Sequence, residues 1–289
     1  MDGTAASQLE PVLMSDPSTP SPYRTLPGEG PYAPAIGSAL ITMVEPHEGH
    51  EHAYNRWYED DHFNSGALAM PWLFAGRRWV APRHLQPLRY PADSIIAQPL
   101  DAGKYISLYW ITAGRYEDHL RWTVATNQRL LPDGRVYLDR THVYTSFQEY
   151  LGAVYRDEEG PRDIHSLDYW PFQGLVLEVV DSSDDRATLA AWLRDEYLPG
   201  RLAGSAGAMT LLFGPYPLPE DKMAYVEDVP GLDRRLTVLT FTDVPPDECW
   251  DQFSGLGAAV EAAGRGRVEL AAPFVPTIPG TNTYVDELR

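Results

Sequence analysis

Tyr54-Asn55-Arg56-Trp57-Tyr58-Glu59-Asp60-Asp61-His62-Phe63 is an amphipathic stretch that carries a histidine four residues after a tyrosine. It returns in altered form 135 residues later, as Trp192-Leu193-Arg194-Asp195-Glu196-Tyr197-Leu198. Trp matches Trp, acid matches acid, and Tyr197 stands where His62 stood. A self-match at that distance in a chain of 289 residues points to two copies of one unit.

Working outward from the first copy, 38–44 is a short apolar run of strand length, closed by Glu45-Pro46. The pattern then predicts a helix over 50–69, strands over 72–80 and 105–111, a helix over 115–131 and a strand over 141–147. The order is βαββαβ. Around the second copy the same order returns: a strand over 174–180, a helix over 184–202 with Ser183 or Asp184 as its cap, strands over 208–213 and 236–241, a helix over 246–263 opening on Pro246, and a strand over 268–272. Each half carries a long central insertion, 83–103 and 215–232. Insertions of that length are usually functional covers or flexible segments.

The expected fold is therefore α+β: two tandem ferredoxin-like βαββαβ repeats, each an antiparallel sheet with helices on one face. Their bare apolar faces bury each other, closing one pseudo-dimeric α/β barrel with the helices outside. The expected boundaries are a disordered or extended Pro/Ser-rich arm over 1–36, the first repeat over 37–154, an acidic linker over 155–171, the second repeat over 172–276 and a tail over 277–289.

Composition narrows the function. With 41 acidic against 23 basic residues the formal charge is −18, which repels nucleic-acid phosphates and anionic lipid, so a small-molecule substrate is the expected partner. No apolar run approaches the ~20 residues of a membrane helix. The start, Met1-Asp2-Gly3-Thr4, has no basic flank or apolar core of a secretory signal, so a cytoplasmic location is expected. The single cysteine, Cys249, rules out an intrachain disulfide and reads as an apolar filler. A barrel closed within one chain can be a monomer, or use its outer face to form a homodimer.

Chemistry points to the first repeat. At i, i+4 and i+8 of a helix, Tyr54, Tyr58 and His62 form one stripe flanked by Trp57 and Asp61. Trp57 reads as scaffold, because Trp192 keeps the indole in the half that lost the histidine. Tyr58 is matched by the plain Leu193. An imidazole titrating near neutrality makes His62 the natural acid or base. On the fourth strand, period two places His142, Tyr144 and Ser146 together, so His142 and Tyr144 are expected beside His62 if that face meets the helices. On the third strand Tyr109 is a candidate to bind a substrate carbonyl, and Trp110 a candidate contact. His119 and Trp122 read as packed or exposed side chains. His47-Glu48-Gly49-His50-Glu51-His52 has ligand residue types but lies in a glycine-containing loop, and no metal is expected there.

The Trp57-Tyr58 pair followed by His62, a WYxxxH pattern behind an apolar first strand in a βαββαβ unit, resembles the EthD-like branch of the dimeric α/β-barrel superfamily. The likeness covers roughly 37–150 and is architectural beyond it. The resemblance implies a pocket between the sheet and helices of the first repeat, with His62 in it. Similar proteins include polyketide cyclases, lyases, isomerases, cofactor-free monooxygenases and haem enzymes, so the reaction stays open. In the tandem haem members, chlorite dismutases and dye-decolourising peroxidases, the iron ligand is a histidine of the C-terminal repeat. All eight histidines here lie at or before His165, so no haem or other cofactor is expected. The expected function is a cofactor-independent cyclase, lyase, dehydratase or isomerase acting on an aromatic or polyketide-like carbonyl compound. The alternatives are a cofactor-free monooxygenase and a non-catalytic ligand-binding barrel.

Overall fold

A computed structural model describes residues 35–70, 72–217, 220 and 231–289. The arm expected over 1–36, up to residue 34, and most of the insertion expected over 215–232 lie outside the described residues, and Ile36, counted with the arm, instead opens the first strand. Eight strands form the barrel: β1 (Ile36–Pro46), β2 (Leu73–Val80), β3 (Tyr105–Thr112), β4 (Arg140–Tyr155), β5 (Gly174–Ser182), β6 (Gly207–Pro215), β7 (Arg235–Thr242) and β8 (Gly266–Pro276). They close in the order β1-β3-β2-β8-β5-β7-β6-β4, every pairing antiparallel. Within each half the order is that of a ferredoxin-like sheet, and the two sheets complete each other.

Alternation along the strands decides what each face does. Ala39, Ile41 and Met43 of β1 and Leu175, Leu177 and Val179 of β5 point inward, joining Trp79, Trp110, Phe213, Phe241 and Phe274 in one core shared by both repeats. The two seams differ. β4 runs beside β6 from Gln148 to Tyr155, whereas β2 meets β8 only at Trp79 and Val80. Part of the insertion over 83–103 reinforces the thin seam: Tyr90 exchanges backbone hydrogen bonds with Ala271, and Ser94 donates to the Glu269 carbonyl. The buried Arg89 donates to the carbonyls of Ala102 and Gly103. That stretch straps the thin seam.

Helices pack on the outer faces. In the first repeat α1 (Glu51–Trp57) continues as a π-helix, Tyr58–Leu68, and α2 (Tyr116–Leu130) lies beside it. In the second, α3 (Arg186–Trp192) continues as a shorter π-helix, Leu193–Tyr197, and then α4 (Leu198–Leu202). Asp185, not Ser183 or Asp184, caps α3, its carboxylate accepting from the Thr188 amide at 2.8 Å. Ser182 and the preceding turn hold Asp184 away from the cap. The helix expected over 246–263 breaks into α5 (Pro246–Cys249), a 3₁₀ turn and α6 (Leu256–Ala262). The chain end lies on the first repeat: buried Asn55 donates to the Thr281 carbonyl, Leu288 is buried, and Arg289 pairs with Glu45 and Glu51.

Candidate active site

The outer face of the second repeat is packed by a large apolar cluster, including Val180, Leu193, Leu198, Leu212 and Val260, and a smaller one of Val176, Cys249 and Phe253. The outer face of the first has two separate clusters, around Tyr54 and Tyr105 and around Met70 and Tyr109. Between them lies a cavity of about 130 Å³, walled by Leu40, Thr42 and Val44 of β1, the π-helix, α2 and the first half of β4.

The π-helix sets the position of His62. Its i→i+5 hydrogen bonding, seen where the Ala69 amide reaches the Asn64 carbonyl, brings residues five apart to the same side. The His62 ring therefore stacks on Trp57, with centroids 4.3 Å apart and planes at 19°, and meets Tyr58 edge-on at 5.2 Å. The straight stripe of Tyr54, Tyr58 and His62 expected of an α-helix is bent. The second repeat keeps the device, with Trp192 and Tyr197 stacked at 5.4 Å and 21°. Gly66 leaves room for the imidazole, since a Cβ there would come within 2.5 Å of His62 Nδ1.

His62 Nδ1 is buried without a hydrogen-bond partner. Burial, helped by the nearby Arg140 guanidinium, lowers the imidazole pKa to about 3, so the ring is neutral with its lone pair available. Beside it the phenols of Tyr58 and Tyr109 are hydrogen-bonded to each other. In such a pair one phenol donates and the other keeps a proton to offer the cavity, and the first bond polarises the second. Burial, and then the neighbouring Tyr58, hold the Tyr109 phenol well above its ordinary pKa, so it stays protonated. Arg78 lies behind Tyr58, 4.1 Å from the ring centroid, and is itself tied to Glu59 and Asn55.

His142 also lines the cavity, its Nδ1 2.8 Å from Thr145 Oγ1, and burial with Arg140 holds it at about 3. Tyr144 does not join it. A β-bulge places Val44 opposite His142 and Met43 opposite Tyr144, skipping Val143, so the alternation breaks between the two. Tyr144 points into the barrel, its hydroxyl 2.7 Å from Thr237 Oγ1. Trp110 also faces the barrel interior, donating to Ser166 Oγ at 2.8 Å and stacking on Phe213. The expectations that Tyr144 and Trp110 reach the ligand are corrected accordingly.

Tyr54 is buried behind the wall, among Trp57, Tyr58, Tyr105 and Tyr137. Asp61 turns outward to Arg135 and Ser65, and the Arg135 guanidinium brings its carboxyl down to about 2. Trp57 reaches the site only through the His62 ring stacked on it and the Arg140 guanidinium over its face. The histidines of 47–52 are engaged separately, His50 with Tyr137 and His52 with Asp286. Among the described residues no cluster of three His, Cys, Asp or Glu side chains could hold a metal. Burial pushes the Cys249 thiol up to about 11, as suits a packed residue.

Three further residues line the cavity: His119, read from the sequence as packed or exposed, and Thr123 and Arg140, which escape sequence reading. His119 is fully buried on α2 with both ring nitrogens unpartnered, and burial lowers its pKa to about 4. One turn on, Thr123 Oγ1 is also buried without a partner. Arg140 enters from the start of β4, its guanidinium 4.6 Å from the centroid of the Trp57 ring. The site is thus a largely apolar chamber with neutral imidazoles, a phenol pair and one cation.

The fold is that of a tandem dimeric α/β barrel, with a helix–sheet chamber in its first repeat. Among solved structures it is similar to an anthrone oxidase-like protein, with a TM-score of 0.51 at 7% identity over 84% of this chain and 92% of that one. It also aligns with a DyP-type peroxidase from Mycobacterium smegmatis at a TM-score of 0.46 and 10% identity, over 89% of this chain and 95% of that one. A haem-bound DypB variant from Rhodococcus jostii aligns at 0.46 and 10%, over 88% and 95%. No family model matches the chain, and no curated protein matches its sequence. At these identities the likeness is one of fold.

Proposed function

We propose that the chain is an enzyme that removes and returns a proton next to a carbonyl group of an aromatic or polyketide-like compound, with His62 as the base. The observation that carries this reading is the buried, unpartnered Nδ1 of His62 beside the Tyr58–Tyr109 phenol pair in an apolar chamber. A neutral imidazole takes the proton, and the enolate oxygen accepts from the free phenolic O–H. The imidazolium is disfavoured in the empty chamber by burial and by Arg140. It forms together with an enolate whose negative charge offsets both, which ties proton transfer to bound substrate. Stabilising the enolate supplies the larger share of the rate, and the positioned base about 10²–10⁴. The proton, returned elsewhere on the same skeleton, gives isomerisation, cyclisation or elimination.

A cofactor-free oxygenase is the second reading. It is favoured by the apolar lining and by the fold shared with an anthrone oxidase-like protein. Both readings begin with the same deprotonation. The test is deuterium incorporation from D₂O into 2-tetralone and anthrone, with dissolved oxygen followed in parallel. Exchange faster than buffer, lost in His62→Ala, supports the base. Stoichiometric oxygen uptake selects the second reading. Unchanged exchange in His62→Ala removes His62 from the reaction.

A further inference from the structure

We propose that the chamber's ligand is an acid: an aromatic compound carrying a permanently anionic group, a carboxylate or its equivalent, which pairs with Arg140. This names the substrate class of the site proposed above and rests on that chamber being the working site.

Charge is the first ground. In a chain of net charge −18, the described residues lining the chamber include no Asp, Glu or Lys, and Arg140 is their sole permanent charge. Two buried arginines on the outer faces of the two sheets are answered by acids: Arg78 by Glu59, and Arg201 by Glu178. No carboxylate among the described residues pairs with Arg140. The adjacent Asp139 turns to His50, 3.4 Å away, and the Arg140 guanidinium rests on the Trp57 ring. A planar guanidinium laid on an aromatic face keeps its N–H edge free for bidentate contact with a carboxylate.

The second repeat supplies independent ground. Its β5–β8 bulge falls between Val179 and Val180, as the β1–β4 bulge falls between Met43 and Val44, so Glu178 corresponds to Thr42. The 135-residue offset that matches Trp192 to Trp57 matches Arg201 to Gly66. In the second repeat Arg201 and Glu178 meet in a fully buried bidentate pair, both contacts 2.8 Å, and fill the space between helix and sheet. In the first repeat both members are missing, replaced by glycine and threonine. The cation enters instead from β4 and the carboxylate is left to the ligand. His119 and Thr123 add neutral donors and acceptors on the α2 wall, suited to a ring hydroxyl or carbonyl and not to a second charge.

The test is equilibrium binding of three matched pairs, benzoate and benzamide, salicylate and salicylamide, 1-hydroxy-2-naphthoate and its amide, by calorimetry and Trp-detected fluorescence on the full chain. At least one anion should bind more tightly than its amide by about 10- to 100-fold, the range of a charge-assisted hydrogen bond against a neutral one. Arg140→Gln should erase that preference by weakening the anion alone, and Arg140→Lys should restore part of it. Thr42→Glu, which brings a carboxylate into the chamber, should also exclude the anions. No binding of any anion at millimolar concentration, or equal binding of anion and amide, overturns the proposal. Anion preference without proton exchange removes the catalytic reading and keeps this one. Exchange dependent on His62 without anion preference does the reverse.

Discussion

The two repeats use the same parts to opposite ends. Each has a tryptophan one step before a π-helix and an aromatic ring stacked on it five residues later, His62 in one and Tyr197 in the other. Behind that ring, the second repeat seals itself with Arg201, Glu178 and the buried ring of Phe253. The first leaves the space open with Gly66 and Thr42, and lines it with histidines that have no counterpart in the second half. A duplicated barrel can thus seal one copy and leave a chamber in the other. The signs of a binding chamber, orphaned polar atoms and a cation without an acid, collect where the sealing pair is missing.

The largest expected effect comes from abolishing the difference. Thr42→Glu with Gly66→Arg rebuilds the second repeat's pair in the first. It should fill the chamber and bring proton exchange down by about 10²–10⁴, the loss expected without the positioned base, while far-UV circular dichroism stays native. Retained exchange would place the active site elsewhere. Next in size is the reverse operation. Arg201→Ala leaves Glu178 buried and uncompensated and should cost about 3–5 kcal/mol in urea unfolding, whereas the paired replacement Arg201→Met with Glu178→Leu should be near neutral. If the single and paired variants lose the same stability, the pair is not a unit.

A smaller effect is expected from Gly66→Ala. Its Cβ collides with His62 Nδ1, so the ring must shift, at about 1–3 kcal/mol of strain, and exchange should fall roughly tenfold. An imidazole NMR signal unmoved by this substitution would show that the clearance does not hold the ring.

The pH dependence of stability sharpens the contrast at the small end. His62, His119 and His142 are held at about 3, 4 and 3 in the folded chain, against about 6.5 unfolded. The unfolded chain therefore takes up protons first. Stability from these groups is complete above about pH 6.5 and is lost as pH falls from there, to about 4 for His119 and about 3 for His62 and His142. His119→Leu should flatten the slope of unfolding free energy near pH 5 by about one proton, or ~1.4 kcal/mol per pH unit. An unchanged slope would mean that His119 is not held neutral.

Much of this was legible in the sequence and some could not be. Period-two runs and the tryptophan repeat define the βαββαβ order, and with it the barrel, because each sheet has a bare apolar face that only the other can cover. Tyr58 and His62 could be named because Leu193 and Tyr197 stand at the matched positions, and Tyr109 because a phenol on the third strand suits a substrate carbonyl. The pairing of His142 with Tyr144 failed at one bulged residue, Val143, since a bulge depends on the partner strand and leaves no local trace. The π-helix is equally silent. Arg140 and Thr123 look like ordinary surface residues until the fold encloses them. Gly66 was the readable clue, a glycine inside a helical stretch where it costs about 0.5–1 kcal/mol against alanine and needs a reason to be there.

The most direct measurement is the rate of deuterium entry from D₂O into 2-tetralone and anthrone, compared between wild type, His62→Ala and the Thr42→Glu/Gly66→Arg variant. A first-repeat site predicts exchange well above buffer in wild type and its collapse in both variants, with the fold intact in each. Wild-type exchange no faster than buffer for both ketones, or variants as fast as wild type, would contradict it.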